Sequence, residues 1–341
     1  MIEIDGSEGE GGGQMLRTAI ALSALTGRAV RVHDIRANRP KPGLAAQHLC
    51  AVRGVAMICD AQVEGAEVGS TQIAFAPGTV RPGKYELDVG TAGSNTLVLQ
   101  ACLLASARCL DEMRLGIVGG TNVRWSPPID FYDRLLFPKL ASLGFQAQMV
   151  ELRRGFYPEG GGRVEVRFQA PREVAPLALM ERGDLLGVEG TCFSQNLPEH
   201  VCQRAAAAVR KEMLGHDVKL ASARTAGPST GAGVFLLARY ENTMLAADAL
   251  GERGVPAEQV GALAAKSLRQ EMDGPGTMDV HAADQLIPYL ALADGPSSFR
   301  VREMTSHLRT QLELVQKFLE VRVESVGAGA AAEVRVRPSC T

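Results

Sequence analysis

Glu8-Gly9-Glu10-Gly11-Gly12-Gly13-Gln14-Met15-Leu16-Arg17 follows the short alternating run Ile2-Glu3-Ile4 and leads directly into an apolar helical pattern at Leu16, Ile20, Leu22 and Leu25. A strand, a tight glycine turn and a helix start thus succeed one another, and such a junction favours an anion through its backbone N–H groups and helix dipole. No Gly-Lys-Ser or Gly-Lys-Thr follows, so this is not a P-loop, and the glycines do not fill the Rossmann G-x-G-x-x-G roles. The stretch offers instead a carboxylate, Glu10, inside the turn and a cation, Arg17, one to two helical turns later. That pair suits a metal-bound polyphosphate, because a carboxylate repels phosphate unless a divalent ion lies between them. Taken alone, the stretch reads more readily as a glycine-rich turn with solvated acids.

The arrangement recurs. Tyr85 to Val89 enters Gly90-Thr91-Ala92-Gly93-Ser94-Asn95, followed by an apolar helix from Thr96 to Leu110. A strand from Met113 to Val118 enters Gly119-Gly120-Thr121-Asn122, and Trp125-Ser126-Pro127-Pro128-Ile129-Asp130 caps a helix from Phe131 to Leu143. Strands Gln146 to Leu152 and Gly162 to Phe168 flank Tyr157-Pro158-Glu159-Gly160-Gly161-Gly162, an echo of the first loop. Units of about sixty to seventy-five residues with this βαβ style predict a repeated α+β domain.

Within the first unit, the strand Ala29 to Ile35 ends at Arg36-Ala37-Asn38-Arg39-Pro40-Lys41-Pro42-Gly43, whose prolines stop any helix. The next helical pattern starts at Leu44 and carries Gln47 and His48 in its first turn. Strand-like runs follow at Gln62 to Ala66 and Thr71 to Ala76. Beyond a connector at Ala170 to Pro176, Gly187 to Phe193 and Val234 to Tyr240 read as strands, and His200 to Met213 and Ala257 to Met272 as helices. The earlier loop style resumes at Gly274-Pro275-Gly276-Thr277-Met278, so residues 182–275 read as a smaller inserted domain and residues 1–181 with 276–341 as the large repeat domain. A helix from His281 to Ala291, a strand from Ser298 to Arg302, an amphipathic helix from Leu308 to Leu319 and two strands around a Gly/Ala turn complete the chain.

The chain of 341 residues has room for a domain with an insertion and a substantial core. Its 46% hydrophobic and 22% charged content is that of a soluble globular protein. With 36 basic against 38 acidic residues the net charge is −2, so no global basic field captures nucleic acid, and a phosphate-rich partner needs a local patch. Aromatic residues are 5%, which argues against a stacking platform of the single-strand-binding type. The seven cysteines are odd in number, form no C-x-x-C and sit in apolar patterns, so they read as reduced core thiols and not as a zinc site. No signal peptide opens the sequence and its apolar runs fall short of a membrane span, which points to the cytoplasm.

Six histidines are few enough to weigh singly. His33 lies in an alternating strand, and His200 and His216 lie in the insertion; surface or packing roles suit all three. His48 follows Gln47 behind a loop of three cations, where phosphate contact, acid–base work or a satisfied structural role are all open. His281 begins a helix. His307 sits at a strand-to-helix turn after Ser306, where a neutral imidazole could meet a phosphorus centre as a nucleophile. On spacing alone it reads first as a neighbour of a helix N-cap.

These segments together resemble the RNA 3′-terminal phosphate cyclase family. The resemblance rests on residues 8–14 with Arg17, the loop Ile35 to Leu44 running to Gln47-His48-Leu49, Gly90-Thr91-Ala92-Gly93-Ser94 with Gln100, Gly155 to Gly162, Ala283-Asp284-Gln285-Leu286 and Ser306-His307-Leu308. It is collinear over nearly the whole chain. It implies an α+β fold with three repeated units, each a four-stranded sheet with two helices resembling the C-terminal domain of translation initiation factor 3, plus the smaller inserted α/β domain. The implied activity is ATP-dependent conversion of an RNA 3′-phosphate to a 2′,3′-cyclic phosphodiester through a histidyl–AMP and an RNA(3′)pp(5′)A intermediate.

By the same resemblance His307 is the nucleophile and Glu10 the ligand of a divalent ion, Mg2+ or Mn2+. Arg17, Arg36, Arg39, Gln47, His48 and Gln100 contact ATP or RNA phosphates, and Pro128, Phe131, His281, Asp284 and Gln285 border the nucleoside. Some family members carry tyrosine where this chain has His281, which puts a stacking role there in doubt. The implied partners are RNA 3′-phosphate ends and ATP, with no membrane; a homodimer is compatible with the pattern. Two other classes stay open: a non-catalytic cyclase-like scaffold of ribosome biogenesis, against which the presence of His307 counts, and an enolpyruvyl-transferase-like enzyme of similar architecture.

Overall fold

The computed structural model describes residues 1–9, 12–327 and 331–339. The first unit runs β1 (Ile2–Asp5), α1 (Gly13–Thr26), β2 (Val30–His33), α2 (Ala46–Cys59), β3 (Gln62–Glu64), β4 (Ile73–Ala76). Its sheet has the order β1-β2-β4-β3, with β1 and β2 parallel and the other pairs antiparallel. Parallel neighbours need a crossover, and α1 supplies it. The second unit repeats this with β5 (Gly83–Asp88), α3 (Asn95–Ala105), β6 (Met113–Gly119), a helical segment, β7 (Gln146–Arg153) and β8 (Gly162–Gln169), in the order β5-β6-β8-β7. The helical segment is α4 (Ile129–Phe131) and α5 (Phe137–Ser142), joined by a π-helical turn over Tyr132–Leu136.

The third unit is split. Its first strand, β9 (Ala178–Leu179), is only two residues long, and the chain then forms β10 (Leu185–Gln195), α6 (His200–Glu212), β11 (Val218–Thr225), β12 (Gly231–Tyr240), β13 (Met244–Leu250) and α7 (Ala257–Asp273). After this excursion come α8 (Val280–Leu290), β14 (Ser297–Val301), α9 (Ser306–Phe318), β15 (Val321–Val326) and β16 (Ala332–Pro338). β9 pairs parallel with β14, and β16 lies antiparallel between β14 and β15, which is the order of the first two units. The intervening sheet, β11-β10-β12-β13, places its first strand centrally and so follows another order.

Helices of all three units share one core: α1 packs on α2, α3 and α9, and α8 on α9. This explains why α1 shows no polar stripe, since Gln14 through Leu25 are all buried. The fourth sheet is covered on both faces. Val188, Cys192, Val234 and Leu236 face α6 and α7, whereas Phe193, Phe235, Leu237 and Ala246 join the main core.

Some boundaries differ from expectation. α3 stops at Ala105 and not near Leu110, because the Ser106 hydroxyl and N–H both turn back onto the Cys102 carbonyl. β9, β11 and β13 were not anticipated. Of the cysteines, five are buried, Cys109 is half-buried, and none of these is in a disulfide; Cys340 and residues 328–330 of the Gly/Ala turn lie outside the described residues. Among the described residues no helix is long and apolar enough to cross a membrane.

Candidate active site

Gly12 is the N-cap of α1; its backbone is extended and its missing side chain leaves the first-turn N–H groups uncapped by any side chain. α9 lies parallel beside it, joined by a regular set of contacts. His307 Nδ1 meets Gln14 Oε1, Gln311 Nε2 donates to Thr18 Oγ1 at 2.9 Å, and Arg28 Nη1 donates to the carbonyls of Lys317 and Phe318 at the far ends. Both N-termini therefore sit at one end of the pair, where their dipoles add in favour of negative charge. Gly9, with φ +61°, closes the glycine loop onto α9: a Cβ there would lie 2.5 Å from Thr310 Oγ1. Glu10 and Gly11 lie outside the described residues.

An amide oxygen can only accept, so the contact with Gln14 puts a proton on His307 Nδ1. In the neutral ring the lone pair is then on Nε2. The sequence pattern assigns Gln14 no role; the signal it carries is its place one turn ahead of Arg17, on the same helix face.

Arg17 is buried, and its Nε donates to Gln100 Oε1 at 3.2 Å, linking α1 to α3. Burial lowers its pKa to about 10, against the pull of Tyr132 and Asp284, so it remains a cation at neutral pH. His48 is buried too and accepts the Ala45 N–H on Nδ1 at 3.2 Å. Its Nε2 abuts the backbone of Gly13, where a Cβ would lie only 2.0 Å away, and the same Cβ would meet Arg17 Nη1 at 2.9 Å. Gly13 is therefore fixed by the close approach of two nitrogen groups to the helix start. Arg39 reaches the same place from outside, with Nη2 3.3 Å from the Cβ position of Gly12. Arg36, with φ +56°, donates to the Gly43 carbonyl at 2.7 Å; burial, and then Arg39, lower its pKa. Gln47 Oε1 accepts the Ser94 N–H at 2.9 Å and so ties the second glycine loop to this group.

Asp284 is buried in α8, bonded by Gln285 Nε2 at 2.7 Å, and acts electrostatically on Arg17. Gln285 also borders a small cavity with Thr18, Gln100 and Tyr132. Pro128 N-caps α4, Phe131 is buried with its ring 6.0 Å from that of Tyr132, and His281 is exposed in the first turn of α8. The structure thus gathers Arg17, Arg39, Gln47, His48, Gln100 and His307 around the starts of α1 and α9, with Arg36 and Asp284 adjoining. It gives Phe131 the surroundings of a core residue.

The described groups at the α1 start are cations and N–H donors, which suit polyphosphate, and a hard divalent cation there calls for a carboxylate such as Glu10. One other cluster of ligand-type side chains, Asp5, His33 and Asp34, lies within 4.8 Å of itself, but its oxygens already serve Ser7 and His33.

Burial, then Arg17 and Arg36, push the pKa of His48 down to about 3. The folded protein refuses a proton that the unfolded chain accepts below pH about 6.5, so stability is full above that pH and is lost as pH falls towards 3. Between pH 7 and 5 this group removes on the order of 2 kcal/mol. His48→Asn should lose correspondingly less over that interval in urea midpoints, and equal losses in both proteins would refute a buried neutral His48.

The family profile described as RNA 3′-terminal phosphate cyclase matches residues 8–325. The chain is 46% identical over 348 aligned residues to a Methanopyrus kandleri protein named RNA 3′-terminal phosphate cyclase, covering 99% of each. Proteins of the same name from Nitrosospira multiformis and Pyrococcus furiosus are 44% and 42% identical; they align with 99% and 98% of this chain, and with 97% and 98% of their own lengths.

Proposed function

Because the chain belongs to the RNA 3′-terminal phosphate cyclase family, we propose that it converts an RNA 3′-terminal phosphate to a 2′,3′-cyclic phosphodiester at the paired starts of α1 and α9, with ATP as co-substrate. The observation that carries this reading is the contact of His307 with Gln14 beside an uncapped helix start flanked by Arg17, Arg39 and His48.

His307 Nε2 attacks the α-phosphorus of ATP; a P–N bond forms, the bond to the β-phosphate oxygen breaks, and pyrophosphate leaves. An oxygen of the RNA 3′-phosphate then attacks the same phosphorus, the P–N bond breaks, and RNA(3′)pp(5′)A results. Finally the ribose 2′-oxygen attacks the RNA 3′-phosphorus, its proton passes to solvent, and AMP departs. Each step is an in-line displacement that needs positioning and charge neutralisation above all. Arg17 and Arg39 supply fixed positive charge at the α1 start, and Gln14 holds the imidazole in one tautomer. A divalent ion, Mg2+ or Mn2+, assigned to Glu10, supplies further neutralisation of the phosphate oxygens. Asp284 and Gln285 are assigned to the nucleoside, as are Pro128 and His281; Phe131, buried in the main core, supports them from behind.

Incubation with α-labelled ATP and a divalent ion, without RNA, should yield an acid-labile protein–AMP adduct. Absence of any adduct sinks the mechanism. Glu10→Ala should form the adduct poorly at low metal and recover with added Mn2+ more than wild type does; an unchanged metal dependence reduces Glu10 to a turn residue.

A further inference from the structure

A cavity of about 1010 Å3 lies away from the starts of α1 and α9. It separates the second unit from the fourth sheet, between the loops holding Val123-Arg124 and Phe156 to Glu159 on one side and residues 230–234, 250–257 and α6 on the other. We propose that this cleft holds the single-stranded RNA immediately upstream of the 3′ end, with Tyr157 in its wall and Trp125, which follows the lining residue Arg124 in the chain, as stacking surfaces and Arg124, Arg204 and Arg253 as phosphate contacts. The inference rests on the cyclase reading above.

Three observations lead to it. The chain has sixteen aromatic residues, one Trp, five Tyr and ten Phe, and only Trp125 and Tyr157 are exposed, at 92% and 77%. Their loops are tied together by a bridge between Asn122 and Phe156 and by the Thr121 N–H donating to the Gly155 carbonyl at 2.9 Å. Trp125 moreover has φ +65°, a left-handed conformation that is costly for a bulky side chain and that recurs at functional sites. Unpaired RNA bases are recognised by stacking on such rings and on guanidinium planes; two rings serve one or two bases and fall short of the extended platform that the low aromatic content argues against.

The rim carries three guanidinium groups, Arg124, Arg204 and Arg253, beside the carboxylates Glu159 and Glu252. Arg124 pairs with Glu252 across the cleft and Arg204 with Glu258, but these side chains are 42–61% exposed, and exposed pairs are cheap to break. Arg253 is exposed with no ion pair among the described residues. The cleft also connects with the candidate active site. Gly160 packs on Ala92, where a Cβ would come within 2.8 Å of the Ala92 Cα; that loop's Ser94 is bonded to Gln47, and the adjoining His48 abuts Gly13 beside Gln14 and His307. The wall of the cleft is thus joined to the nucleophile through a chain of packed residues.

Trp125 is the chain's single tryptophan, so its fluorescence reports occupancy without reference to catalysis. A 3′-phosphorylated oligoribonucleotide of about twelve nucleotides should quench it, and a dinucleotide 3′-phosphate should quench it far less. In Tyr157→Ala and Arg253→Glu the apparent Kd of the long RNA should rise roughly tenfold. In Trp125→Ala the KM for the long RNA should rise by a similar factor, with dinucleotide kinetics and self-adenylation unchanged. Unchanged fluorescence at RNA concentrations that saturate cyclisation overturns the proposal. So does duplex RNA that competes equally, or a variant that impairs the dinucleotide as much as the long substrate. If the wild type forms no adduct with AMP, the cyclase reading fails separately, while quenching still decides whether RNA enters the cleft.

Discussion

His307→Asn should form no detectable protein–AMP adduct, and cyclisation of an RNA 3′-phosphate should fall by roughly 10^4-fold or more, the scale on which removal of a covalent nucleophile acts. Folding should survive, because the start of α9 is held by Thr305, whose hydroxyl accepts the Leu308 N–H at 3.1 Å, and by Gln311 and Arg28 further along. The variant should still cyclise a preformed RNA(3′)pp(5′)A end, since the last displacement uses no histidine. Retained adduct formation, or loss of that last step as well, would place the nucleophile elsewhere. Gln14→Ala should slow adduct formation about 10- to 100-fold, as expected when the partner orienting a histidine is lost. Because the ring nitrogen that bonds Gln14 is not the attacking one, added metal should not restore it.

Arg154→Ala should cost about 3–5 kcal/mol of stability, the range for stripping one partner from a buried ion pair. The guanidinium makes two bonds of 2.7 Å to Asp130 and one of 3.1 Å to Asn122 Oδ1, and lies 4.0 Å from the centre of the Phe193 ring. Both partners are over nine-tenths buried, so removal leaves the Asp130 carboxylate unpaired in the core. Arg204, by contrast, holds Glu258 at 2.5 and 2.7 Å but is about half exposed, and Arg204→Ala should cost no more than about 1 kcal/mol. Comparable losses in the two variants, measured by urea midpoints, would refute the assigned role of burial. In a double-mutant cycle, Asp130→Asn should cancel much of the Arg154→Ala loss. Phe193 is on β10, so protease sensitivity of the fourth sheet should rise with the loss of Arg154.

Much of the fold was legible because its punctuation is local. Strand, glycine loop and helix start lie next to one another in sequence, and the same order at residues 2–25 and 85–105 exposed the repeat, whereas 113–142 is the second strand–helix half of the second unit. What escaped lacked periodicity. β9 is two residues in a proline-rich connector, β11 is a mostly exposed strand at the sheet edge, and β13, Met-Leu-Ala-Ala-Asp-Ala-Leu, has the composition of a helix and becomes a strand by pairing with β12. The resemblance points to residues that the fold brings near the starts of α1 and α9, but the connections among them were not legible. Nothing local indicates that Gln14 meets His307, that Gln100 holds Arg17, or that Phe131 turns into the core, since each of these depends on which helices become neighbours.

The parallel rungs between α1 and α9 have a consequence for biosynthesis. Thr18 and Gln311 are 293 residues apart. Because translation proceeds from the N-terminus, the ribosome delivers α1 long before the helix that completes its surroundings. The almost wholly buried α1 must then wait with part of its apolar surface uncovered, a state in which holdase chaperones bind well. On the proposed mechanism, nucleotide capture would begin only once the third unit docks, and a nascent chain would consume no ATP by this route before it has folded.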